Sequence, residues 1–159
     1  KDDIKKEVTR EKQKQADTQY QNDLVNKIAD KAKMSLPEVL VNEQLDRMLN
    51  ELKQNLIYRG QTYKEFLESE KKTEEEHKAK LRPQAEQRVK IGLTLAEVSS
   101  EEDITVTQEE LNLRMQLLKA QYQDPQMQAQ LDDPRARQDI ASQLITEKTV
   151  AKLMEYASN

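Results

Sequence analysis

Cysteine and tryptophan are absent from this chain of 159 residues, and phenylalanine appears once. Without cysteine there are no disulfides and no zinc–thiolate sites, which is compatible with a cytoplasmic protein. Two glycines and four prolines interrupt the chain, too few for the tight hairpins of a sheet protein. No apolar run approaches the roughly 20 residues of a membrane span, and no signal peptide is visible. The 26 basic side chains form no block but are mixed with 30 acidic ones, for a net charge of −4. A nucleic-acid footprint is therefore not supported.

What remains is a chain that is 35% hydrophobic and 35% charged. That is poorer in apolar residues than an ordinary globular domain. A compact sphere of this length needs more core, so an elongated all-α body fits better. Disorder competes as a reading of so polar a sequence. Regular apolar periodicity argues against it for most of the length, though less for the first two dozen residues. One domain is expected. The chain begins at Lys1 rather than Met, which points to a piece of a longer protein and leaves a targeting segment upstream open.

Six helices are expected. Lys1 to Lys33 reads as a long one with a sparse stripe of Ile4, Val8, Ala16 and Tyr20, denser at Leu24, Val25, Ile28 and Ala32. Such a stripe leans on something outside the fragment, or frays. Ser35-Leu36-Pro37-Glu38 breaks and restarts the helix, with Pro37 in the first turn. Leu40, Leu45, Met48, Leu49, Leu52 and Leu56 follow at helical spacing, and Gly60 ends that helix near Arg59. Thr62-x-x-Glu65, Thr73-x-x-Glu76 and Thr107-x-x-Glu110 each fit a capping box at a helix start. The helix after Thr73 contains Pro83, which predicts a kink or a new segment near Arg82. Beyond Pro83, Val89, Leu93 and Ala96 mark one face, with Ile91, Leu95 and Val98 beside it. Ile104 to Val106 reads as an extended link. Leu111, Met115, Leu118 and Tyr122 then recur at three to four residues until Asp124-Pro125 stops that helix. Gln126 to Asp132 reads as a linker or a single turn. Asp133-Pro134 starts the last helix, which carries Ile140, Leu144, Ile145 and Ala151 and reaches Met154.

None of this has the chemistry of a catalyst. The sole histidine, His77, sits in the charged run Lys71-Lys72-Thr73-Glu74-Glu75-Glu76-His77-Lys78. Metal ligand or base is one reading; a solvated helix position is the favoured one. Carboxylates such as Glu74, Glu109 and Glu110 read as exposed helix charge. There is no phosphate loop, no metal-ligand spacing and no nucleotide motif. No cofactor is expected. What is left is apolar surface. Leu118 and Tyr122 before the Asp-Pro break, with Met115 upstream and Met127 and Leu131 after it, form one candidate patch. Met and Tyr adapt to varied partners. Tyr58, Tyr63 and Phe66 around the Gly60 turn form another. The alternative for both is helix–helix packing.

Four stretches carry a likeness to a known family: MSLPEVLVNEQLDRMLNEL (Met34 to Leu52), LRPQAEQRVKIGLTLAEV (Leu81 to Val98), DITVTQEEL (Asp103 to Leu111) and AQYQDPQ (Ala120 to Gln126). In order and spacing the chain resembles the C-terminal chaperone domain of bacterial trigger factor. The resemblance implies a ribosome-associated, cytoplasmic chaperone that meets nascent chains. It implies an elongated helical body with two arms around a cradle. Pro37 to Ser100 would supply the body's edge and first arm, and Thr107 onward the second arm. Substrate contacts would fall on Leu118 and Tyr122, then Met127 and Leu131. Just past Asp-Pro this chain has mostly Gln where relatives carry bulky apolar side chains. A prolyl-isomerase domain and a glycine-rich ribosome-docking signature are both missing. The fragment should therefore hold peptides, with the ribosome reached only through a missing N-terminal domain, and should not isomerise prolines. No nucleic acid or membrane partner is implied, and a weak dimer is compatible. Rival readings are the peptide-holding part of a secreted or periplasmic parvulin-type chaperone, and a structural helical spacer or dimerisation module.

Overall fold

The computed structural model describes residues 2–122 and 124–158, except for the side chains of residues 2–6, 8, 125 and 126. The described residues form seven helices and no strand: α1 (Asp2–Lys31), α2 (Glu38–Tyr58), α3 (Tyr63–Glu70), α4 (Glu74–Glu101), α5 (Gln108–Gln121), α6 (Pro125–Gln130) and α7 (Pro134–Ser158). The fold class is thus all-α. The count exceeds the expected six because the stretch after Asp124-Pro125, expected as a linker or a single turn, closes into the six-residue α6. Ile4 and Val8 have side chains outside the described residues.

Local chemistry sets the ends of these helices. Each expected capping box is formed. The amides of Thr62, Thr73 and Thr107 donate to Glu65, Glu76 and Glu110 at 2.8 Å, and each glutamate amide donates back to the threonine hydroxyl at 3.2 Å. Two orphan amides per helix start are thereby satisfied. Three helix stops share another device. Gly60 donates to the Ile57 carbonyl and Gln61 to that of Leu56, both at 2.9 Å, around a Gly60 φ of +72°. The same paired bonds recur with Lys71 at φ 53° and Asp103 at φ 49°. This is the left-handed turn that closes a helix through its C′ residue, here made twice without glycine.

Two prolines stand at or within helices. Pro37 is the N-cap of α2, one position before the first turn. Its φ of −64° and ψ of 125° hold the chain extended, and its carbonyl accepts from Leu40 and Val41. Pro83 lies inside α4 and does not end it. The amide that Pro83 lacks would have bonded the carbonyl of Ala79, and Ala79 is exposed, so water can take that acceptor.

The chain divides into two compact units, Lys1–Val25 with Leu95–Asn159, and Asn26–Thr94. In the second, Val41, Leu45, Met48 and Leu49 of α2 pack on Ala85 and Val89 of α4, with Leu36, Leu40, Tyr63, Leu81 and Leu93 around them. Spacings of three and four put the α2 residues on one face. Arg82 of α4 grips both oxygens of Glu38 at 2.8 and 2.6 Å and also bonds Glu86 at 3.0 Å. These groups are substantially exposed, so they add little to stability. Gln87 reaches Asn26 and Asp30, both at 3.1 Å, and ties α4 to the end of α1. In the first unit, α5 packs on α7, and Val25, Leu95, Met115, Ile140 and Thr149 are buried. Thr149 and Thr94 satisfy their buried hydroxyls on carbonyls four residues back, at 2.7 and 2.8 Å. Along α1, residue 7 and residues 9–20 are all exposed, which matches their sparse apolar stripe.

Urea unfolding should separate these contributions. Leu49→Ala empties part of a packed core and should cost about 2–5 kcal/mol. Gly60→Ala meets no steric neighbour, so its cost of about 1 kcal/mol comes from the left-handed backbone alone. Lys71→Gly and Asp103→Gly should each raise stability by up to about 1 kcal/mol, because the same conformation then carries no Cβ penalty.

Candidate functional site

The two candidate patches sit in different surroundings. At the turn between α5 and α6, Tyr122 is the C-cap of α5, with its amide donating to the Lys119 carbonyl at 3.1 Å. Gln128 of α6 donates its side-chain amide to the carbonyls of Tyr122, at 2.7 Å, and Lys119, at 3.3 Å. Lys119 in turn bonds both oxygens of Asp132 at 2.6 and 2.7 Å. These bonds hold a corner on which Tyr122 and Met127 are 38% and 41% exposed. Leu118 and Leu131 are half-buried there. Met115 is buried at 4%. It belongs to the packing of its unit, the helix–helix alternative to a client contact.

Around the Gly60 turn, Tyr58 is 87% exposed beside Ile57 at 65%. Tyr63 and Phe66, by contrast, are half-buried in an aromatic cluster on His77. The Tyr63 hydroxyl and His77 Nδ1 are 2.9 Å apart, and the Phe66 ring meets the imidazole edge-on at 5.5 Å between centroids. Tyr63 and Phe66 are 6.3 Å apart and nearly parallel, with the Lys53 ammonium 5.0 Å over Tyr63. The cluster fixes α3 to the first turns of α4. His77 is accordingly buried, not a solvated helix position as the charged run suggested. The run's other residues are exposed or half-buried while the imidazole turns to α3, a choice made by partners 11 and 14 positions away in sequence.

Sequence spacing missed another feature. Leu113 and Leu117 of α5 are 59% and 55% exposed. With Val106 and Leu144 they line a groove of about 280 Å³ between α5 and α7. Leu113 and Leu117 are one turn apart, which was a visible signal, but they lie off the stripe of Leu111, Met115, Leu118 and Tyr122. Only the position of α7 makes them the wall of anything. The groove's edges are charged. Lys148 bonds Glu110 at 2.7 Å, and Arg114 pairs with Glu147.

Among the described residues no group of three or more His, Asp or Glu side chains could hold a metal ion. No helix there is long and apolar enough to cross a membrane. Apolar contact is what the geometry can offer.

Burial, and then the charges of Lys72 and Lys80, push the His77 pKa below its ordinary 6.5, with Glu70 opposing. The folded state therefore binds its proton more weakly than the unfolded chain does. Its contribution to stability is whole above about 6.5 and is lost as pH falls through the folded value. An NMR titration of this single imidazole should give a midpoint below 6.5. His77→Gln should flatten the dependence of the urea midpoint on pH across that window.

The profile of the bacterial trigger factor protein C-terminus matches residues 1–155. The trigger factor of Carboxydothermus hydrogenoformans is 30% identical over 157 residues, covering 99% of this chain and 37% of that protein. That of Clostridioides difficile is 30% identical over 158 residues, with 98% and 37% covered. Trigger factor 1 of Desulfitobacterium hafniense is 32% identical over 160 residues, with 98% and 37% covered. The chain thus spans little more than a third of the length of these relatives. No solved structure matches it. A match of this extent, over a helical fold with the expected element order, sets aside the parvulin-type reading: the chain belongs to the trigger factor family, as its C-terminal domain.

Proposed function

We propose that this domain is an ATP-independent chaperone module that holds unfolded or nascent polypeptides by weak apolar contacts. Family membership supports the reading, and the observation that carries it is the exposure of large apolar side chains at helix ends. Tyr122 and Met127 stand on the corner between α5 and α6, and Ile57 and Tyr58 at the end of α2. Each site removes little area from water. At about 25 cal/mol per Å² a few such contacts leave micromolar or weaker binding after ordering costs. Weakness of that order lets a folding client depart without nucleotide hydrolysis. Residues 37–100 act as body and first arm in this reading, and residues 107–159 as second arm and C-terminal helix. Ribosome docking and prolyl isomerisation belong to the remaining length of a full trigger factor, which works in the bacterial cytoplasm.

The reading is tested by suppression of aggregation of a diluted, unfolded client. Tyr122→Ser with Met127→Ser, and separately Ile57→Ser with Tyr58→Ser, should each weaken client holding by roughly tenfold. Circular dichroism should be unchanged, because all four side chains are exposed. A structural spacer would show no holding by the wild-type protein, and that result would remove the proposal.

A further inference from the structure

In the unit of residues 26–94, α3 is the one helix with no buried residue. Tyr63, Phe66 and Leu67 are half-buried, and its other five residues are exposed. An isolated helix shorter than about 12 residues is marginal in water, so α3 stays helical only while it is docked. That docking centres on one imidazole. His77 of α4, 7% exposed, receives the Tyr63 hydroxyl at 2.9 Å from Nδ1 and the Phe66 ring at 5.5 Å between centroids. We propose that His77 is a proton-operated latch, whose protonation releases α3 from α4 while the seam of α2 and α4 stays closed.

The hydrogen bond itself does not resist a proton. A phenol donates to a bare Nδ1 or accepts from a protonated one, so a turn of the hydroxyl preserves the pair. The surroundings resist it. A buried imidazolium loses hydration, and Lys72, in the link after α3, and Lys80 of α4 repel it, with Glu70 of α3 opposing them. Around Tyr63 stand Lys53 of α2, its ammonium 5.0 Å over the ring, and Glu74 and Lys78 of α4. Both of these carboxylates already hold a lysine: Glu70 pairs with Lys72 at 2.7 Å and Glu74 with Lys78 at 2.9 Å.

The direction of the switch follows. Burial and the two lysines keep the His77 pKa below 6.5 while α3 is docked. Release returns the imidazole to water and to its ordinary value. The released state then binds the proton more tightly, so falling pH favours release. The change begins near pH 6.5, grows as pH passes the docked value, and levels off below it.

His77 is the chain's single histidine, and histidine is the side chain that ordinarily titrates in this range. The nearby carboxylates stay ionised through it. The Thr62 amide on Glu65, Lys72 on Glu70 and Lys78 on Glu74 each hold the carboxyl below its ordinary 4.5. Burial, and then Glu74, push Tyr63 above its ordinary 10, so the phenol stays neutral.

Release also has a natural limit. The six buried residues of the seam lie on α2 and α4, and α3 adds only the flank of Tyr63. Turns around Gly60 and Lys71 separate α3 from both neighbours, so its loss leaves those helices their own hydrogen bonds. Opening of one weakly held segment below the global unfolding free energy is the ordinary behaviour of such an element.

Amide hydrogen exchange at pH 7.5 and 5.0, corrected for the intrinsic dependence of exchange on pH, tests the latch. Protection of residues 66–70 should fall about three- to tenfold at the lower pH. Protection of residues 45–49 in α2 and 85–89 in α4 should stay level. The His77 side-chain signals and the α3 amide shifts should titrate with one midpoint. In His77→Gln, α3 protection should no longer respond to pH, whatever level it starts from. An equal loss in α3 and in the seam would make the opening global and overturn the latch. So would α3 protection that is level in the wild type, or that still falls in His77→Gln.

Discussion

The packing of α2 on α4 is the contact on which the described second unit depends. Six buried side chains hold it together, and there is little else to do so. With apolar and charged residues in equal share, burial cannot be spread over a large sphere. The unit instead closes a thin seam and anchors its neighbours to the seam's edges. Arg82 clasps Glu38 at one edge, Gln87 meets α1 near another, and the His77 cluster pins α3. A seam so small leaves surface to spare, and that surface includes large apolar groups that a thicker protein would have buried.

Much of the helical plan was legible because its signals are local. A threonine and a glutamate three residues apart carry enough chemistry to start a helix, and all three such pairs do so. Gly60 stops α2 where it stands because only the left-handed backbone is asked of it. Pro83 shows the converse, since no new segment starts there. A lost hydrogen bond ends a helix only where nothing else holds the chain, and residues on both sides of Pro83 pack into the seam.

Candidate sites were less legible, because exposure is a property of partners. Met115 and Tyr122 belong to one sequence stripe, yet one is core and the other surface. Tyr58 and Tyr63 flank one turn, and only the first faces water freely. Leu113 and Leu117 carry an unremarked spacing that gains meaning only once α7 stands beside α5. A polypeptide-holding function has no signature residue to find. It is distributed over whichever apolar groups the fold leaves uncovered, and the covering is decided by contacts far apart in sequence.

The two left-handed turns built without glycine bear on how such a protein lives among sticky neighbours. Lys71 and Asp103 are exposed charges at the points where α3 and α4 end. Glycine would fit the backbone with less strain, but it would leave bare peptide groups at each bend. A charged side chain there keeps the bend hydrated, whichever sign it carries.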